Sequence, residues 1–290
     1  MKTTATLSLA ILTGCLLSGC GGASRADGPR VVASFYPYAF VAEQVGGSHI
    51  EVDNLTSPGV EPHDVELKPK QVGAIQSADL VIYQRGFQNA VDDAVDQADL
   101  PGVDILDVAQ VARLEDAHGD PHTWLDPSTM VKVTRAVEER LSDAHPDHAS
   151  DFATNARRLE RELTRLDTAF SDGLKTCRTR TIVTSHAAFH YLAERYRLTQ
   201  VPIAGLDPTN EPTPSQLADI SSLVKREDIT TIFTEELVSP AIAETVASET
   251  GASTATLDPI EGLGDDTRDE SYLTLMRRNL DAIRTANGCS

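Results

Sequence analysis

Four residues stand far apart in this chain, each just after a short β-branched run, and each is of a type that holds transition metals. They are His63 in V-E-P-H-D-V-E-L, His122 in D-P-H-T-W-L-D-P, His186 in I-V-T-S-H-A-A-F and Asp258 in T-A-T-L-D-P-I-E-G-L. Three imidazoles and one carboxylate make a donor set suited to Zn2+. No two lie close enough in sequence to form a local finger, so only a fold that gathers distant loops can use them. Pro62 and Pro121 directly precede two of the histidines and stiffen the loops that present them. Rigid presentation lowers the ordering entropy that tight binding must overcome.

The other chemistry-bearing residues fall around this set. His118, in A-H-G-D, is compatible with an accessory donor and with a plain loop residue. His190 follows His186 by four and is read as supporting it structurally, from outside the coordination shell. Glu235 and Glu236 end a β-like run, and Glu235 is the candidate to orient a histidine from behind, a domain-edge carboxylate being the alternative. His49, His145 and His148 read as solvent-exposed. Catalysis finds little support. His186-Ala187-Ala188-Phe189-His190 lacks the Glu of H-E-x-x-H, and there is no G-x-S-x-G, Walker loop or G-x-G-x-x-G after a strand. Four protein donors also leave no position for a reacting water, so the site is read as binding, not enzymatic. A coordination shell containing water would instead favour a metallohydrolase.

Short β-like runs alternate with helical stretches, which predicts an α/β fold with parallel sheets covered by helices. The candidate strands are Arg30–Ser34, Ile50–Leu55, Asp79–Tyr83 and Val103–Val108, then Thr181–Thr184, Gln200–Ile203, Thr231–Thr234 and Ala252–Leu257. Between the two sets lies His148 to Lys175, without proline, where Leu159, Leu163, Leu166 and Phe170 recur at steps of three and four. This is one amphipathic helix, long enough to join two lobes as a rod that permits small tilts and resists wide opening. The expected division is therefore a lobe over 30–147, a linking helix over 148–176 and a lobe over 177–290. Ligands of open parallel sheets bind beyond the carboxyl ends of the strands. His63 follows the second strand, His122 the fourth, His186 the fifth and Asp258 the last, two from each lobe, which places the site in the cleft between them.

Residues 1–19 read as a targeting segment, with Lys2 before an apolar stretch too short to span a bilayer comfortably. Leu17-Ser18-Gly19-Cys20 resembles the lipobox of bacterial lipoproteins, which implies cleavage before Cys20 and a lipid on that cysteine. Residues 20–29 are then a flexible tether. The chain carries 44 acidic and 25 basic residues, a formal charge of −19. Such a surface repels nucleic acid and anionic headgroups, so the membrane is expected to be met through the lipid alone. With Cys20 lipidated and Cys15 removed, Cys177 and Cys289 are left as the disulfide pair of an oxidising compartment.

E-P-H-D-V-E-L-K-P, D-P-H-T-W-L-D-P, T-S-H-A-A-F-H-Y-L-A-E-R-Y, E-P-T-P-S-Q-L, I-F-T-E-E-L-V-S-P and A-E-T-V-A-S-E-T-G-A, in that order, resemble signatures of the cluster A-I substrate-binding proteins. These are the zinc- and manganese-capturing components of bacterial ABC transporters. The resemblance runs from about Arg30 to the C-terminus. It implies two (β/α)4 lobes joined by a long rigid helix, ligands at His63, His122, His186 and Asp258, and a monomer that hands its metal to a permease and its ATPase. It also implies an extracytoplasmic location at the cell membrane. Histidine at the third ligand resembles the zinc branch, whereas manganese members tend to carry Glu there. The chain departs from many zinc members in having only Asp116, His118 and Asp120 where they carry a long His- and Asp-rich loop. Val65 stands where an aromatic is common, and His190 where Gly is frequent. A manganese-binding member and a surface adhesin with a structural metal are the alternatives.

Overall fold

The computed structural model describes residues 28–98, 100–113 and 119–290. The targeting segment, Cys20 and most of the tether lie outside the described residues, as does His118. The first lobe holds β1 (Arg30–Ala33), α1 (Tyr36–Gly46), β2 (Glu51–Asn54), α2 (Pro69–Gln76), β3 (Leu80–Tyr83), α3 (Asn89–Gln97), β4 (Asp104–Asp107), α4 (Val108–Ala112) and α5 (Pro127–Ala144). After α6 (Ala149–Gly173) the second lobe runs β5 (Thr181–Thr184), α7 (His190–Tyr196), β6 (Thr199–Pro202), α8 (Pro214–Arg226), β7 (Thr231–Thr234), α9 (Ala241–Thr250), β8 (Ser253–Thr256) and α10 (Tyr272–Asn287).

Each lobe is built on a four-stranded parallel sheet, in the orders β2-β1-β3-β4 and β6-β5-β7-β8. Composition explains the order. The inner strands R-V-V-A, L-V-I-Y, T-I-V-T and T-I-F-T are largely buried, whereas E-V-D-N and S-T-A-T sit at edges with mostly exposed side chains. Polar edge strands discourage pairing with other chains. One apolar core passes through both lobes, linking Val31 and Ile82 on the first sheet to Ile182 and Phe233 on the second. Smaller clusters cover the outer face of each sheet.

The α6 helix supplies much of that shared core. Phe152, Ala156, Leu159, Leu163, Leu166 and Phe170 are all buried, a spacing of four and three that keeps one stripe facing inward. Its 25 residues span about 37 Å. The helix packs on α5, α1 and α10 together, so both lobes rest on one rod. A disulfide joins Cys177, just beyond α6, to Cys289, just beyond α10, across 112 residues of sequence.

Two local features depend on bonds that sequence periodicity does not reveal. The residues after His186 alternate little and would suit a helix from Ala187 to Tyr196, but the helix after β5 begins only at His190, because the preceding backbone is bonded elsewhere: His186 N–H to Glu235 and Ala187 N–H to the Gly205 carbonyl. The short α4 turn, capped by the Asp107 carboxylate on Ala109 N–H at 2.9 Å, is too brief to show a periodicity.

Candidate metal centre

The loops beyond the carboxyl ends of β2, β4, β5 and β8 meet between the lobes. There His63, His122, His186 and Glu261 bring one donor atom each to a common point. His122 Nε2 lies 3.1 Å from Glu261 Oε1 and 3.3 Å from His186 Nε2. His63 Nε2 and His186 Nε2 each lie 3.5 Å from the same carboxylate oxygen. A tetrahedral zinc with bonds near 2.0–2.1 Å has edges of about 3.3 Å between its donors. These four separations, from 3.1 to 3.5 Å, are close to such edges.

The hydrogen bonds behind the rings set the tautomers. His122 Nδ1–H donates to Asp120 Oδ1 at 2.7 Å, and His186 Nδ1–H donates to Glu235 Oε2 at 2.7 Å. Each carboxylate also accepts the backbone N–H of its own histidine, so it fixes both loop and ring. With Nδ1 protonated, both Nε2 lone pairs point at the same space. Two lone pairs face one another at 3.3 Å only with a cation between them, a proton or a metal ion. His63 Nε2 and both Glu261 oxygens lack conventional hydrogen-bond partners, as expected of donors meant for an ion.

Electrostatics agree. Burial alone would push His186 down, but facing Glu235 and Glu261 it is pushed up to about 10. Burial opposes charge on Glu261, yet the three histidines hold its carboxyl well below the usual range. Without a metal, these contacts favour protonated imidazole at His186 beside an ionised Glu261. Around it Phe87 packs edge-on to His63 at 4.8 Å and Trp124 lies 5.1 Å from His122. Only His63 meets solvent, its side chain 11% exposed against 0% for His122 and His186 and 1% for Glu261.

Side-chain amides hold the loops in place. Gln88 donates to Pro62 O, Gln84 to Pro121 O, Gln200 to His186 O and Asn279 to Asp258 O. The last bond bears on the one expected donor that the structure leaves out. Asp258 is not among the converging residues. Its Oδ1 accepts Ile260 N–H at 2.7 Å and its own N–H donates to Asn279 at 2.9 Å, which folds the loop back on itself. Ile260 takes φ = +57°, and this left-handed step carries the next residue, Glu261, to the histidines. Burial raises the Asp258 carboxyl to about 7, helped by Glu236, Glu261 and Glu235 nearby.

Among the supporting candidates, Glu235 stands directly behind His186. His190 does not take part. It opens α7 with half its side chain exposed, 3.9 Å from Glu194. Sequence reasoning passed over Glu261 although it sits in the same D-P-I-E-G-L as Asp258. Asp before Pro is itself a turn former, and that was the available hint that the nearer acid shapes the loop.

The profile of the family described as ZnuA, zinc-uptake complex component A periplasmic, matches residues 31–286. The zinc-binding lipoprotein AdcA of Streptococcus pneumoniae is 34% identical over 96% of this chain, which spans 60% of AdcA's length. The Zn(II)-bound ZnuA-like domain of that protein superposes with a TM-score of 0.79 over 90% of this chain and 99% of the domain, at 34% identity. The high-affinity zinc uptake system protein ZnuA of Bacillus subtilis is 31% identical over 93% of both chains. The laminin-binding protein Lmb of Streptococcus agalactiae, described as bifunctional with adhesin and metal transporting activity, gives a TM-score of 0.82 at 31% identity, over 89% of this chain and 99% of Lmb.

Proposed function

This chain belongs to the ZnuA zinc-uptake family, and from that premise we propose that it captures Zn2+ outside the cytoplasm and delivers it to an ABC permease and its ATPase. The observation that carries the reading is the set of four donor atoms, three imidazole nitrogens and one carboxylate oxygen, gathered within 4.8 Å of one another and with four of their separations between 3.1 and 3.5 Å. Nitrogen-rich donors favour zinc over manganese, which prefers oxygen. His186 stands where a carboxylate would tilt that choice. The ion is cargo, so the site's work is to bind, hold and release without breaking a covalent bond.

In this reading the lobes comprise residues 30–147 and 177–290, with 148–176 as the linking segment. Cys20 carries the lipid and residues 20–29 are the leash that holds a monomer at the outer face of the membrane. A nanomolar site needs about 12 kcal/mol, within the range of structural zinc sites. Metal analysis of the purified chain followed by competition between zinc and manganese tests the assignment. One tightly held zinc per chain that manganese fails to displace is the expected result. Preferential retention of manganese, or no tight metal at all, would overturn it.

A further inference from the structure

His49 and His148 read from sequence as separate exposed loop residues, yet the fold stacks their rings at a centroid distance of 4.1 Å and an interplanar angle of 20°. His49 Nε2 lies 3.1 Å from Asp151 Oδ2, and one donor atom from each of His49, His148 and Asp151 falls within 4.8 Å of the others. The group sits at the far end of the first lobe from the cleft. His49 precedes β2, whereas His63 follows it.

The scaffold beneath these donors is independently fixed. His49 closes the turn after α1. His148 precedes the first residue of α6, and Asp151 lies in that helix's first turn. Asn155 of α6 donates to the Val45 carbonyl of α1 at 3.0 Å, which clamps the two segments together without using any of the three donors. Phe152, fully buried, walls one side of the pair, its ring 6.0 Å from His49 and 6.2 Å from His148. The other side is open: the His49 side chain is 30% exposed and that of Asp151 59%. Two imidazoles and a carboxylate on a pinned backbone with one wet face can hold a late divalent ion once the stacked rings turn about their side-chain bonds to aim both nitrogens at one point, with water filling the remaining positions.

We propose that His49, His148 and Asp151 form a second, solvent-open Zn2+ site, separate from the cleft and weaker than it. An ion there would cross-link the α1–β2 connection to the start of α6, beside the point where Gly28 lies against the His49 carbonyl. The proposal stands whether or not the cleft carries cargo.

Calorimetric titration of the full chain with zinc, at concentrations well above those that fill the cleft, tests it. A second, weaker equivalent is expected. It should be lost in His49→Gln and in His148→Gln while the tight equivalent and the circular dichroism spectrum stay unchanged. It should persist in His122→Ala, which damages the cleft. A wild-type chain that takes up one equivalent only, or a second equivalent that survives both glutamine variants, would overturn the site and leave the trio as a hydrogen-bonded brace. Should one glutamine variant misfold, Asp151→Asn, at a more exposed position, supplies the same comparison.

Discussion

Asp258 and Glu261 occupy one loop, but the first closes it through Ile260 and Asn279 while the second faces the histidines. Exchanging each for its amide separates these tasks. Glu261→Gln is expected to weaken zinc binding by about a hundredfold or more, since changing even a carboxylate behind a ligand costs about 10–100-fold. Asp258→Asn keeps the acceptor oxygen and should cost less than about tenfold. Competition against a chromogenic chelator measures both, and a larger loss for Asp258→Asn would reverse the assignment. Protonation gives a second test. His186 is pushed up to about 10 and His122 is also raised. Zinc binding at neutral pH must then displace a proton. Affinity should rise with pH from neutrality toward 10, by about tenfold per unit for each proton released. Calorimetry in buffers of different ionisation enthalpy reads the proton count directly, and none released at pH 7 would contradict the cluster's charge. The three histidines were legible because each follows a strand run and two carry a preceding proline. The choice between the two acids was not, because it depends on a left-handed Ile260 that no side-chain pattern announces.

At the scale of elements, strand runs and the stripe of α6 were readable because burial imposes a period on the sequence. Strand boundaries came within one residue, and Thr181–Thr184 and Thr231–Thr234 coincide with the observed strands. What escaped was set by long-range bonds: the delayed start of α7, and the meeting of His49 with His148 across 99 positions of chain. The Cys177–Cys289 bridge ties α10 to the end of α6, and α10 carries the Asn279 that grips the Asp258 loop. Replacing both cysteines with alanine should lower stability by about 4–5 kcal/mol in the chain-entropy limit. Urea unfolding of the variant and of the oxidised parent measures the change. Equal midpoints would mean that the bridge constrains nothing the core does not already hold.

Across the whole molecule, the lobes are joined by more than the rod. The Trp124 indole N–H donates to the Pro259 carbonyl at 2.7 Å, Tyr272 O–H to the Trp124 carbonyl at 2.6 Å, and Tyr191 O–H to the Asp120 carbonyl at 3.2 Å. Arg195 pairs with Asp126 at 3.1 Å on the same seam. With a shared core behind these bonds, loading the ion should move the backbone by no more than about 1 Å, as in other pre-organised complexes. Small-angle scattering with and without zinc should superpose, and a clear contraction would show a hinge. The single wet histidine has a further consequence. Among the described residues the four donors are reachable from solvent only at His63, so a chelator is expected to exchange that bond first and the others in turn. Unloading then resembles opening a zip from its only free end. Strippers of different size and strength should converge on one limiting rate, that of the Pro62–Asp64 turn swinging aside.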